Sequence, residues 1–381
     1  MLTFADGAWH VIANLVIFLA GLWIALGQKR LFGVPQKRAV VLYLWHSFFC
    51  MFYFWYSLNN ISDSTNYYLY SLSYDDGFKF GTAGVYYLVS PFTQIFNLSY
   101  GGVFLLFNIA GYIGMLALAS ALQSVTETSS RKVKRLSVLI LFLPGLSFWS
   151  SSISKDALTF MGAGLATWAA LSIRRRVPAF AISVLLFLLV RPHMSGILLL
   201  SFTLAMLLSS KMGLYKKAAL LAISVPLSIV AVQFGLSYAG LDDATNANKV
   251  AEYFETRQSH NLGGGSSVDI ASMSIPLRML TYLFRPLLFD AGGLLGLAVS
   301  IENLILIFVT VKVAFRFKRT HSVLDRFEFT LFIIFVAVSW FILANSTANL
   351  GIAIRQKTMF LPMLMVLLFS YWHKLPVRRH E

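Results

Sequence analysis

Apolar stretches of 15 to 22 residues recur along this chain from one end to the other. A helix rises about 1.5 Å per residue, so each stretch is about long enough to cross a ~30 Å hydrocarbon layer. No water is present in that layer to bond with backbone amides, and a helix satisfies them within its own segment. A transmembrane β-barrel needs repeated ten-residue segments of alternating polarity, and none occur. Charged residues make up 12% of the 381, against about 25% in soluble globules. The expected fold is therefore all-α: a polytopic transmembrane helical bundle, a single integral membrane domain over residues 1–381. The single cysteine, Cys50, lies inside an apolar run and excludes an intrachain disulfide.

Eleven spans are expected, at 10–27, 39–58, 101–123, 136–152, 157–173, 179–191, 194–210, 218–237, 293–315, 327–345 and 356–373. Two larger loops, 59–100 and 237–292, fall on one side. Lys and Arg set the orientation. Alternate loops at 28–38, 124–135, 174–178, 211–217, 312–326 and the tail hold 22 of the 31 basic residues. Basic residues gather on the cytoplasmic side, so the amino terminus is expected outside and the carboxyl terminus inside. An odd number of spans requires the same. The net charge of +15 is thus an orientation signal with attraction to anionic lipid, and points away from nucleic acid. Residues 1–10 contain Asp6 and no Lys or Arg, unlike the basic start of a signal peptide, so the first helix is expected to be retained.

Nine basic residues oppose this bias: Lys79, Lys155, Arg191, Lys249, Arg257, Arg278, Arg285, Arg355 and Lys357. Eleven of the sixteen acidic residues fall on the same outer side. A site handling an anion and a proton has this character, and so does a set of loop salt bridges. Asp63 follows the second span by about five residues and stays near the membrane surface. A carboxylate there suits a general base for a hydroxyl, and equally the cap of an interfacial helix. Tyr67 and Tyr68 offer flat faces for sugar rings, and equally an aromatic belt at the membrane interface. Lys155 and Asp156 sit in a serine-rich hinge between two helices, Leu146 to Leu158. There Asp156 is either a reserve carboxylate or a residue favoured by the helix dipole.

The loop 237–292 carries Gly263, Gly264 and Gly265, as a lid or a solvated linker does. Residues 275–286 read as an interfacial helix started by Pro276 and ended by Pro286. Arg278 and Arg285 are seven residues apart, so they are expected on one face of it, suited to a diphosphate or to lipid phosphate. Arg191 and His193 flank Pro192 at an outer junction, and Arg355 and Lys357 open the last span. These cations suit a pyrophosphate, and His193 a proton shuttle. Glu302 lies about 15 Å deep in a span by helical rise, beside Asn303, where interhelical hydrogen bonding is expected. No HExxH, Walker A, GxGxxG or paired-cysteine motif appears; no organic cofactor is expected, and a divalent metal stays open.

The segments Asp63 to Tyr68, Phe148 to Asp156, Arg191-Pro192-His193, Phe284-Arg285-Pro286 and Arg355-Gln356-Lys357 together resemble bacterial multispanning glycan-assembly proteins. These are the GT-C-type polyprenyl-linked-sugar glycosyltransferases and the related O-antigen and exopolysaccharide polymerases. The resemblance implies a membrane glycosyltransferase or polymerase in surface polysaccharide biosynthesis. It would act on undecaprenyl-linked sugars at the outer face of the bacterial inner membrane, among other polysaccharide-assembly proteins. On this reading Asp63, with Asp156 in reserve, activates the acceptor. Lys155, Arg191, His193, Arg278, Arg285, Arg355 and Lys357 meet phosphate, and Tyr67 and Tyr68 meet sugar. In GT-C enzymes the acidic outer loop follows the first helix. Here it follows the second, which requires an extra leading helix. The alternative is a transporter or flippase of lipid-linked oligosaccharide, with a polar path through the bilayer.

Overall fold

The computed structural model describes residues 2–209, 272–317 and 320–372, with scattered positions between 213 and 270. Most of the expected span 218–237, the glycines 263–265, Lys249, Arg257 and the basic tail lie outside the described residues. Helix accounts for 79% of the structure, and no strand occurs among the described residues.

Fifteen α-helices lie among the described residues, numbered in chain order. The first five are α1 (Ala8–Gly27), α2 (Gln36–Asn59), α3 (Asp63–Ser71), α4 (Thr82–Ser90) and α5 (Tyr100–Val125). Next come α6 (Arg131–Leu141), α7 (Pro144–Ser150), α8 (Lys155–Ala170), α9 (Ile173–Val190) and α10 (Pro192–Ser209). The last five are α11 (Ile275–Phe284), α12 (Gly293–Phe317), α13 (Arg326–Ser346), α14 (Leu350–Lys357) and α15 (Leu361–Phe369).

Helices coincide with ten of the eleven expected stretches. Among the described residues, seven are long and apolar enough to cross a membrane, α6 and α7 counting together, and α14 with α15 make an eighth if the pair, bent by 63°, is one span. α8 has 16 residues and α9 carries three arginines, Arg174, Arg175 and Arg176, so neither meets that standard. α1 leaves Trp9, Val11, Ile12, Leu15, Val16, Leu19 and Trp23 exposed. A continuous apolar helix face of this size is unfavourable in water and natural in lipid. The protein is membrane-embedded.

Local sequence explains the breaks and starts. Pro144 lacks an amide donor and opens α7 after α6 has ended, which splits that stretch. Pro178 sits inside α9, and Arg176 just before it leaves helical geometry. Ser62, Ser99 and Ser154 cap α3, α5 and α8 through their side chains, and Asp325 with Glu328 forms a reciprocal cap on α13.

The core forms around α5, which packs on α1, α2, α7 and α8. Gly114 and Gly164 let α5 and α8 meet backbone to backbone. A methyl group on Gly164 would stand 2.3 Å from the Gly114 carbonyl oxygen. Small residues permit this approach where water exclusion no longer drives helix association. A second cluster, rich in aromatic rings, lies under a cap at one end of the bundle: Tyr53, Tyr67, Tyr68, Tyr100, Phe104 and Phe148. The cap is helical, and α3 is tied down by Tyr100, whose hydroxyl donates to Ser57 at 2.9 Å and lies 3.4 Å from the Thr65 hydroxyl.

Candidate functional site

Four distant segments meet at the end of the bundle where α2 finishes and α5 starts. α8 supplies Asp156, in its first turn behind the Ser154 cap and only 1% exposed. The positive end of the helix favours a carboxylate at that position. The buried hinge serines do not compete for it. Ser150, Ser151 and Ser152 donate to the carbonyls of Leu146, Phe148 and Trp149. Asp156 is left to two guanidiniums. Arg355 donates from Nε to Oδ2 at 2.6 Å, and Arg191 places Nη2 3.5 Å from Oδ1.

Arg191 is the residue at which α9 ends, ahead of Pro192. Its Nε is buried without a partner among the described residues. Arg355 belongs to α14, whose start is capped by Asn349. Its Nη2 donates to Asp63 Oδ2 at 2.7 Å, and its guanidinium carbon lies 5.5 Å from the centre of the Trp149 ring. One guanidinium thus bridges a buried carboxylate and a half-exposed one, since Asp63 is 51% exposed. Lys155, beside Asp156, donates to the Thr82 hydroxyl at 2.8 Å and joins this end to α4. Two carboxylates face two arginines, and Lys155 adds a further positive charge nearby.

The structure places the other expected residues differently. Tyr67 and Tyr68 are 4% and 7% exposed. With Ser64 and Ser71 they form the buried stripe of α3, at the spacing of one helix face. Burial, and then the neighbouring Asp63 charge, push the Tyr67 phenol pKa up. The Tyr68 hydroxyl donates to the Leu98 carbonyl. These rings are packing, and neither presents a face to a sugar.

Arg278 and Arg285 do not share a helix face. Pro286 disfavours helical geometry at the residue before it, so Arg285 leaves α11 in an extended conformation (φ −97°, ψ 155°). Its guanidinium forks onto both carboxylate oxygens of Asp290. Hydrogen bonding from Arg285 holds the Asp290 carboxyl below its ordinary pKa, and the same contact raises that of Arg285. Arg278 Nε donates to the Met273 carbonyl at 2.9 Å. His193 is half-buried in the first turn of α10, two residues from Arg191.

Lys357 is buried and turned away from Arg355, as two positions along a helix dictate. Its ammonium donates to the Leu283 carbonyl at 3.1 Å and to Asn303 Oδ1 at 2.8 Å. Asn303 in turn donates to the Pro286 carbonyl at 2.8 Å, so the interhelical bonding expected at this position is present. Glu302 accepts the Gly145 amide. Glu302, Asn303 and Lys357 line one side of an otherwise largely apolar cavity of ≈ 60 Å³, with Trp149 also in its wall.

Sequence reasoning missed Trp149 as the neighbour of Arg355, and Thr82 as the partner of Lys155. Nothing in one dimension pairs them. The signal that did exist was the set of arginines that oppose the charge bias of the other loops. Among the described residues, no group of three or more His, Cys, Asp or Glu stands together as metal ligands.

The class this fold and site define is an all-helical, membrane-embedded protein with a mixed carboxylate–guanidinium cluster at one end. Comparison with protein-family models, curated proteins and solved structures finds no match to the chain.

Proposed function

We propose that the protein is a glycosyltransferase or polymerase acting on undecaprenyl-phosphate- or diphosphate-linked sugars in surface polysaccharide biosynthesis. It works at the extracytoplasmic face of a bacterial inner membrane, with eleven spans, the amino terminus outside and the carboxyl terminus inside. The observation that carries this reading is Arg355, suspended between buried Asp156 and half-exposed Asp63.

Asp156 is a fixed counter-ion that positions Arg355 and Arg191. Only the Asp63 side of Arg355 is open to exchange. The donor phosphate takes the place of Asp63 on Arg355 Nη2, and this frees the Asp63 carboxylate beside the reacting atoms. Asp63 then accepts the proton of the acceptor hydroxyl as general base. The acceptor oxygen forms its bond to the anomeric carbon, and the bond from that carbon to the phosphate oxygen breaks. The electron pair stays on the departing phosphate, where Arg355 meets the new charge, with Lys155 nearby. Asp63 returns its proton to solvent. Arg285, engaged by Asp290, and Lys357, engaged by Asn303, support the fold around this site.

The test is transfer from a synthetic polyprenyl-diphosphate sugar to a glycan acceptor by the purified protein. Activity that survives in both Asp63→Asn and Arg355→Ala refutes the assignment. The polar wall formed by Glu302 and Lys357 inside the bundle favours the flippase alternative. A deletion strain separates the two: loss of a flippase removes all surface repeat units, whereas loss of a polymerase leaves single ones.

A further inference from the structure

The opposite end of the bundle carries a second cavity that the outer cluster does not use. α2 begins there, α5 ends there, and α6 starts just beyond. Twenty-four residues of α2 separate this end from the Asp63 end, about 36 Å by helical rise. The cavity measures ≈ 390 Å³, within the range of about 300–1,000 Å³ usual for small-molecule sites.

Its wall combines charge with an apolar floor. Arg38 is half-buried at the start of α2 and Lys134 is exposed in the first turn of α6. Arg38 directs Nη1 to Gln123 Oε1 at a long 3.4 Å. Gln123 is itself held by donating to the Gly33 carbonyl at 3.2 Å, so the guanidinium is oriented at the cavity edge. Glu127 is the one carboxylate in the lining, and against two cations it leaves a net positive charge. The floor includes Leu122 and Leu141, each 1% exposed. Lys37, Arg131, Lys132 and Arg135 stand beside the two lining cations in the chain and deepen the positive field.

A planar fork and a point charge converging on one cavity suit a tetrahedral phosphate, which accepts from both. The position suits it as well. α6 exposes Arg131 and Lys132 at one end and Leu139 at the other, the pattern of a helix leaving water for lipid. We propose that this cavity is a phosphate-binding site in which Arg38 and Lys134 grip the anion and Leu122 and Leu141 receive the carbon attached to it. The phosphate belongs either to an anionic phospholipid of the adjacent leaflet or to a soluble phosphate ester. Basic pockets between membrane helices at this level are suited to lipid headgroups.

The test uses the full-length protein in phosphatidylcholine nanodiscs, with phosphatidylglycerol or soluble glycerol phosphate added. Thermal unfolding and native mass spectrometry report binding. The expected result is a raised midpoint and retained phosphatidylglycerol. Arg38→Gln/Lys134→Gln should bind at least tenfold more weakly, while Lys29→Gln/Arg30→Gln, outside the lining, binds like the parent. Binding of glycerol phosphate with the same dependence on Arg38 and Lys134 upholds the site and makes its source soluble. Equal weakening by both double variants reveals only a diffuse basic surface and overturns the proposal. So does a parent protein that responds to neither probe.

Discussion

Replacing Asp156 with Asn tests the organisation of the cluster most directly. The substitution keeps the volume of the side chain and removes its charge. At 2.6 Å from Arg355 Nε, the attraction lost is on the order of 6 kcal/mol at an effective dielectric near 20, before desolvation is counted. Arg191 and Arg355 then lose the carboxylate they share, and Arg355 keeps Asp63. Breaking a buried pair by removing one partner costs about 3–5 kcal/mol, which is the destabilisation expected here. Asp63→Asn is the internal comparison. Its carboxylate is 51% exposed, and exposed pairs contribute only about 0.2–1 kcal/mol. Unfolding in mixed micelles, followed by tryptophan fluorescence, measures both, with Trp149 reporting beside Arg355. Transfer should fall in both variants, through lost positioning in one and lost proton acceptance in the other, the latter by about 10²–10⁴-fold. Asp156 is not the organising counter-ion if Asp156→Asn unfolds within about 1 kcal/mol of the parent, or if Asp63→Asn is the more damaging to stability.

Arg355→Lys keeps the charge but cannot bridge two carboxylates with a planar fork, so transfer in the purified-protein assay should drop by at least about tenfold. Gly164→Ala places a methyl group 2.3 Å from the Gly114 carbonyl oxygen, and the yield of folded protein on size-exclusion chromatography should collapse as α5 and α8 are forced apart. Lys357→Met leaves the Leu283 carbonyl and Asn303 Oδ1 without their donor, a loss of about 1–3 kcal/mol on the same unfolding assay. The folded-state pKa of Asp290 lies below its ordinary 3.8, so its contact with Arg285 stabilises residues 285–290 fully above that value. That contribution disappears as pH falls through the lowered pKa. Pepsin should therefore cut this segment faster as pH drops below about 3.8 in the parent, and Asp290→Asn should remove the dependence.

The helical class and the course of the helices were legible in the amino-acid order, because a bilayer demands long apolar segments that satisfy their own amides. The break at Pro144 and the end of α11 before Pro286 were equally local, since proline acts on its own neighbours. The spacing of Ser64, Tyr67, Tyr68 and Ser71 also held the information that α3 buries its tyrosines, although loop chemistry drew attention to their rings instead. Excess arginine on one side pointed to a site without naming its pairs. The folded arrangement alone brings Arg355 to Asp63, 292 positions away, while Arg285 closes on Asp290 five residues on. Which cation reaches which carboxylate depends on how helices pack sideways, and that packing is set by the close approach of α5 to α8 and by the bend between α14 and α15. Charge and hydropathy along the chain carry no record of either.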